Sequence, residues 1–220
     1  MLPSSSARTL ALGADIVLYD RASEDRTEIA NTIAQERGAA FIHPFDNPHI
    51  IAGQGTAGLE LMQQAAEIAA MPDTIMVCCA GGGLLAGVAL AVKHAAPSAE
   101  VHPVEPAGFD DFDRSLRTGT HQTTPLKSGS ICDALLVDQP GKITFALARE
   151  MCSPGFVVTD DEVRTAMRFA FYELKLVIEP GGAAALAAIF AQKCDTHGRI
   201  VACTISGGNV DPQQFAQIIA

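Results

Sequence analysis

The strongest chemical signal is a continuous apolar run, Thr74 to Ala80, that enters Gly81-Gly82-Gly83 and continues as an apolar helical stretch from Leu84 to Ala95. Glycines let a backbone turn tightly and approach a ligand with no Cβ in the way. A helix starting there presents unpaired N–H groups and the positive end of its dipole, so a phosphate suits the junction. The same glycines would also serve a tight turn with close strand–helix packing. The pattern is not G-x-G-x-x-G with an acidic residue about 20 positions on, and it lacks the G-K-[ST] ending of a P-loop. A second constellation, Ser206-Gly207-Gly208-Asn209, follows another apolar run. It falls where open α/β sheets gather ligands, and a serine hydroxyl there can donate to or accept from a ring nitrogen. By itself SGGN reads equally as a plain turn.

Glu105, Asp110, Asp111 and Asp113 place several carboxylates in one short segment, Glu105-Pro106-Ala107-Gly108-Phe109-Asp110-Asp111-Phe112-Asp113. Hard oxygen ligands of this kind suit Mg²⁺ or Ca²⁺, although the spacing is not that of an EF-hand. A solvated acidic loop or charge at a helix N-terminus explains the same run. The histidines are scattered and make no H-E-x-x-H pattern, and Ser128-Gly129-Ser130 lacks the first glycine of a nucleophile elbow. None of the six cysteines forms a C-x-x-C pair, so they read as reduced, structural thiols of a cytoplasmic protein.

The elements that must position these residues alternate. Strand-type runs at 14–19, 39–43, 74–80, 100–104, 156–158 and 199–205 are separated by helical patterns, which predicts βαβ units and a mainly parallel sheet. Ser23 is placed to cap a helix running to Arg37 with Gly38 as its stop, and a further helix is expected from Pro48 to about Ala70. Thr159-Asp160-Asp161-Glu162 fits a capping box, and Pro180 can open the next helix. The stretch 118–138 is the least regular. The formal net charge of −10 and the absence of Trp disfavour nucleic acid and anionic membranes as partners and favour a small molecule. The first residues carry no basic region followed by an apolar core, and the apolar stretch 178–190 is too short to span a bilayer.

Taken together and in order, these segments resemble the serine/threonine dehydratases (threonine ammonia-lyases) and serine racemases, which are fold type II pyridoxal-phosphate enzymes. The resemblance runs through Ala11-Leu12-Gly13-Ala14, His43-Pro44-Phe45-Asp46-Asn47-Pro48 and Ile51-Ala52-Gly53-Gln54-Gly55-Thr56. It continues through Ala80 to Gly87, Val104-Glu105-Pro106, Leu176 to Pro180 and Ser206 to Asn209. It implies a three-layer, doubly wound, mainly parallel α/β fold of the tryptophan synthase β type. It also implies a division into a remnant of the small domain over residues 1–40 and a large phosphate-binding domain over 41–220.

By this resemblance Gly81, Gly82, Gly83 and Leu84 cradle the phosphate of pyridoxal 5'-phosphate, Ser206 faces the pyridine nitrogen and Glu179 lies near the ring edge. Glu105, Asp111 and the Phe109 carbonyl match the divalent-cation site of such relatives, for Mg²⁺ or Ca²⁺. Ala80 stands where the family carries a fourth glycine, and Phe45 where some relatives carry a polar residue. The family's S-F-K-x-R-G-A-like segment with the imine-forming lysine is absent, as is its S-x-G-N-H loop. Lys93, Lys127, Lys142, Lys175 and Lys193 all lack that context. The chain is therefore expected to start inside the small domain and to leave apolar faces or a sheet edge uncovered. The expected function is elimination of ammonia from L-threonine or L-serine in cytoplasmic amino-acid catabolism, with the isolated chain inactive. Alternatives are a non-catalytic phosphate-binding remnant or one half of a split enzyme, and serine racemization stays open. The expected partners are an amino-acid substrate and either a second copy, making a homodimer, or a complementing N-terminal half.

Overall fold

The computed structural model describes residues 4–20, 23–126 and 128–220; Met1 to Pro3, Arg21, Ala22 and Lys127 lie outside the described residues, so the readings made of Lys127 and of the first three positions have no structural counterpart. In chain order the elements are α1 (Ser4–Ala11), α2 (Arg26–Arg37), α3 (Pro48–Glu67), β1 (Thr74–Cys78), α4 (Gly83–Ala95), β2 (Glu100–Pro106) and α5 (Asp111–Thr118). They continue with α6 (Lys142–Met151), β3 (Phe156–Val158), α7 (Asp160–Tyr172), α8 (Pro180–Phe190), β4 (Val201–Cys203) and α9 (Pro212–Ile219).

Among the described residues the four strands form one sheet in the order β3-β2-β1-β4, with every neighbouring pair parallel. Helices must cover both faces of such a sheet, which is why β1 is a continuous apolar run instead of an alternating one. Met76, Cys78, Val104 and Val158 pack against α7, α8 and α9. Ile75, Val77, Cys79 and Val101 pack on the opposite face against α3, α4 and α6. The result is three layers with one core on each side of the sheet. α3 and α4 approach almost backbone to backbone: a Cβ on Gly87 would lie 2.5 Å from the Ile51 carbonyl oxygen.

Local chemistry accounts for most helix ends. Asp25, not Ser23, caps α2 through the N–H groups of Thr27 and Glu28, and Gly38 closes it in the left-handed conformation with φ of 60°. The Thr159–Glu162 capping box is formed and opens α7. Asn47 caps α3, with Pro48 in its first turn.

Two expected strands are not strands. Residues 14–19 and 39–43 run without helix or ladder pairing. An apolar run becomes a strand only with a neighbour to take its backbone hydrogen bonds; Val17, Leu18 and Ile42 stay exposed here. β4 is shorter than expected and forms one edge of the sheet, half-buried throughout. Ile200, which directly precedes β4, is exposed, as are Leu176 and Val177 ahead of α8. α1, α5 and α9 are helices that the periodicity did not signal. No helix among the described residues is long and apolar enough to cross a membrane.

Candidate functional site

The C-terminal end of β1 feeds directly into α4, and the turn between them is shaped from both sides. Gly82 is the N-cap of α4 with φ of 90°, and no side chain caps the helix. The first turn contains no acidic residue, and the first backbone bond runs from Ala86 N to Gly82 O at 2.9 Å. The N–H groups of Gly83, Leu84 and Leu85 therefore lack helical acceptors. The glycines are required by what surrounds them. A Cβ at Gly81 would lie 2.3 Å from the Phe45 ring, and one at Gly82 would lie 2.3 Å from Phe112. The Gly81 carbonyl is fixed by the Thr144 hydroxyl (2.6 Å) and by the Gly141 N–H (3.1 Å).

This turn borders a cavity of about 330 Å³, a volume within the range of small-molecule sites. Gly81, Gly82, Gly83, Leu84, Glu179 and Ser206 all line it, so one space collects every residue assigned to cofactor contact from the sequence. Ala80, at the fourth-glycine position, also lines it, as does Phe45. The walls combine an open helix N-terminus, a hydroxyl and a carboxylate with apolar surface. An adjoining, more polar cavity of about 380 Å³ shares Arg26 and Val137 with it but none of those cofactor-contact residues.

Glu179 and Ser206 are held together. The Glu179 N–H donates to the Gly207 carbonyl at 3.0 Å, and Glu179 Oε2 accepts from the Asn209 N–H at 3.0 Å. A Cβ at Gly207 would lie 2.5 Å from Glu179 Oε1, so the glycine permits this contact. Sequence reasoning missed Cys78, which also lines the cavity. Its Sγ accepts the Ala185 N–H at 3.4 Å and lies 3.5 Å from the Gly182 carbonyl oxygen. Burial pushes its thiol up, so it acts as a neutral filler. Thr144 was also missed; the sole signal for it is spatial, since 63 residues separate it from Gly81.

The acidic segment is not a solvated loop. Glu105, Asp111 and Asp113 are all buried. The two oxygens of Glu105 accept the N–H groups of Phe112 (2.9 Å) and Asp113 (2.7 Å), which caps α5 from the end of β2. Asp113 Oδ2 is held by Arg117 at 2.7 Å. Asp111 Oδ2 is buried without a hydrogen-bond partner. Burial lifts the Asp111 carboxyl to about 7. Burial, with the neighbouring Asp111 charge second, lifts Glu105 well above the usual carboxylate range. An orphaned buried oxygen beside a second buried carboxylate is a place that a cation would neutralise. Among the described residues, no three His, Cys, Asp or Glu side chains are grouped to hold an ion by themselves, so a carbonyl ligand such as that of Phe109 would be needed.

Among the described residues no lysine lines the cavity. Lys93 Nζ donates to the carbonyls of Pro97 and Ala99, Lys175 Nζ donates to Tyr172, and Lys193 pairs with Glu162 at 2.8 Å.

Comparison with known proteins gives a consistent answer. The pyridoxal-phosphate dependent enzyme family matches residues 1–207. The serine racemase of Schizosaccharomyces pombe is 36% identical over 216 residues, covering 97% of this chain and 65% of its own length. The catabolic L-threonine dehydratase of Escherichia coli K12 is 34% identical over 220 residues, covering 98% of this chain and 64% of its own length. Among solved structures, a threonine deaminase from T.th. superposes with a TM-score of 0.86 at 37% identity, over 94% of this chain and 67% of that one. Maize serine racemase gives a TM-score of 0.86 at 34% identity, over 98% of this chain and 65% of that one. The chain thus spans about 65% of the length of the curated relatives it matches.

Proposed function

Because this chain belongs to the pyridoxal-phosphate dependent enzyme family, we propose that its 330 Å³ cavity holds the cofactor of an ammonia-lyase acting on L-threonine or L-serine. The observation that carries the proposal is that one cavity gathers the uncapped N-terminus of α4, Ser206 and Glu179. Pyridoxal phosphate, when bound, acts as an electron sink for negative charge developing at the substrate α-carbon.

The chain's own groups have separate tasks. The N–H groups of Gly83 and Leu84 would hold the phosphate at the positive end of α4. The Ser206 hydroxyl, which lines the cavity, would serve the pyridine nitrogen as a neutral hydrogen-bond partner. Glu179 positions the Ser206 loop through Asn209 and Gly207. Phe45 and the apolar wall keep water from the ring. Glu105, Asp111 and the Phe109 carbonyl would hold Mg²⁺ or Ca²⁺, and the orphaned Asp111 oxygen supports that assignment. The charge of such an ion would fix the start of α5 against β2.

In this reading the amine that would hold the cofactor is supplied by a segment other than this one, because no S-F-K-x-R-G-like stretch is present in the sequence; among the described residues no lysine lines the cavity. Residues 1–40 belong to a small domain and residues 41–220 to the phosphate-binding domain. The working enzyme is a cytoplasmic homodimer or a complex with a lysine-bearing N-terminal polypeptide, and the isolated chain binds cofactor without turnover. Serine racemization is a second reading, favoured by the 36% identity to a racemase, a figure no lower than that to the dehydratase.

The test combines binding and reconstitution. Calorimetric titration of the chain with pyridoxal phosphate should give saturable binding that Ser206→Ala weakens. Addition in trans of the lysine-bearing N-terminal segment of a dehydratase should yield 2-oxo acid from L-threonine or L-serine. Absence of saturable binding would overturn the proposal; D-serine without oxo acid would favour the racemase reading.

A further inference from the structure

The phosphate turn is gripped from behind by a second helix, and that helix is capped by a residue far away in the chain. The N-cap of α6 is Gly141, which has no side chain to cap the helix. Asp46 does so instead. Its Oδ2 accepts the Lys142 N–H at 3.0 Å, and its Oδ1 accepts the N–H groups of Ile143 (2.8 Å) and Thr144 (3.2 Å). A Cβ at Gly141 would lie 2.5 Å from Asp46 Oδ1, so the missing side chain makes room for the distant carboxylate.

The capped turn of α6 is the one that holds Gly81. The Thr144 hydroxyl and the Gly141 N–H are the two donors to the Gly81 carbonyl. Asp46 itself is set by a tight bend, in which His43 Nδ1 accepts the N–H groups of Asp46 (2.9 Å) and Phe45 (3.4 Å). Phe45 from the same bend covers Gly81 and Gly83. Segment 43–46 therefore grips the glycine turn twice, directly by the Phe45 ring and indirectly through α6.

Two helix N-termini meet at this turn, and each attracts an anion. Asp46 fills that of α6, which leaves the uncapped start of α4 as the one open to a ligand. We infer that Asp46 is a positioning residue for the cofactor phosphate: by capping α6 it fixes the Gly81 carbonyl and thereby the direction of the Gly83 and Leu84 N–H groups. The inference rests on reading this cavity as the phosphate site and adds a residue that does not touch the ligand.

The experiment compares the full chain with Asp46→Ala, Asp46→Asn and Thr144→Val. Two readouts are taken: hydrogen exchange of the Gly81–Leu84 amides in ligand-free protein, and dissociation constants for pyridoxal phosphate and for pyridoxal. Asp46→Ala should speed exchange at Gly81–Leu84 and weaken pyridoxal phosphate about fivefold, the size of a lost helix cap. Pyridoxal affinity should change less than about twofold, because the phosphate contact alone is disturbed. Asp46→Asn, which keeps a capping oxygen, should recover most of the loss, and Thr144→Val should reproduce its direction. Unchanged exchange and phosphate affinity in Asp46→Ala, with a lower melting temperature alone, would overturn the inference. So would an equal loss for pyridoxal. Should Asp46→Ala fail to fold, Thr144→Val decides on the same readouts. Should the wild-type chain bind no pyridoxal phosphate, the cofactor reading fails and exchange at Gly81–Leu84 alone decides the role of Asp46.

Discussion

Substituting Gly82 by alanine probes the geometry on which the β1–α4 glycine turn, the proposed phosphate site, depends. Gly82 has φ of 90°, and an added Cβ would lie 2.3 and 2.8 Å from two ring atoms of Phe112 and 3.1 Å from the Thr144 Cβ. Phe112 is completely buried in the core beside α4, so its ring has no free space to enter. A left-handed backbone costs a non-glycine residue about 1–2 kcal/mol. Forcing an extra methyl into a packed core costs about 1–3 kcal/mol more. Gly82→Ala should thus destabilise the protein by about 2–5 kcal/mol, a large part of the roughly 5–15 kcal/mol typical of a folded domain. Urea unfolding should show a lower midpoint with an unchanged slope. The two costs separate in a cycle with Phe112→Leu: in that background the alanine should cost about the backbone part alone, roughly 1–2 kcal/mol. A loss below about 1 kcal/mol in the wild-type background, together with undiminished pyridoxal phosphate affinity, would refute both the turn geometry and its role.

Other outcomes follow from the same structure. The Asp111 carboxyl is held up at about 7 by burial, so the folded protein keeps a proton that the unfolded chain sheds near its ordinary value of 3.8. The contribution of Asp111 to ion-free stability should therefore be greatest below that window and be lost as pH rises from about 4 to about 7, read as the difference between wild type and Asp111→Asn across that range. Mg²⁺ or Ca²⁺, replacing that proton, should raise the melting temperature more at about pH 8 than at about pH 5; equal shifts, or none, would count against the cation site. Burial pushes the Cys132 and Cys152 thiols to about 12 and that of Cys203 to about 11. Disulfide-exchange reagents at about pH 8 should label these only as the protein unfolds, so rapid native labelling would contradict their packing. Ser206→Ala should weaken pyridoxal phosphate by about twofold to tenfold, the worth of one hydrogen bond, with folding stability unchanged.

The candidate site could be proposed from the sequence because its glycine turn is local and the family resemblance supplied the rest. Strand-then-glycine at Thr74 to Gly83 carries its geometry in consecutive residues, whereas Ser206 and Glu179 were placed with it by the family resemblance, and all of them border one cavity. What stayed hidden depends on distance along the chain. Asp46 and Thr144 act on α6 and Gly81 across 96 and 63 residues, respectively, and nothing local marks either as part of the site. The acidic segment was ambiguous because its composition is the same whether solvated or folded inward; burial against β2 and α5 decided it. Residues 14–19 and 39–43 have strand-like sequences but no ladder partner, and periodicity reports side-chain pattern, not the presence of a neighbour. α5 was obscured by the aspartates that open it, since Asp111 and Asp113 in its first turn read as loop composition until their burial is known.

The central claim is that this chain builds the phosphate and ring contacts of the cofactor site but supplies no amine to its carbonyl. Borohydride reduction of the chain saturated with pyridoxal phosphate, followed by peptide mass spectrometry, tests it most directly. The expected result is saturable binding that inorganic phosphate displaces, with no lysine modified in proportion to occupancy. Stoichiometric phosphopyridoxyl label on any one of Lys93, Lys127, Lys142, Lys175 or Lys193 would contradict it.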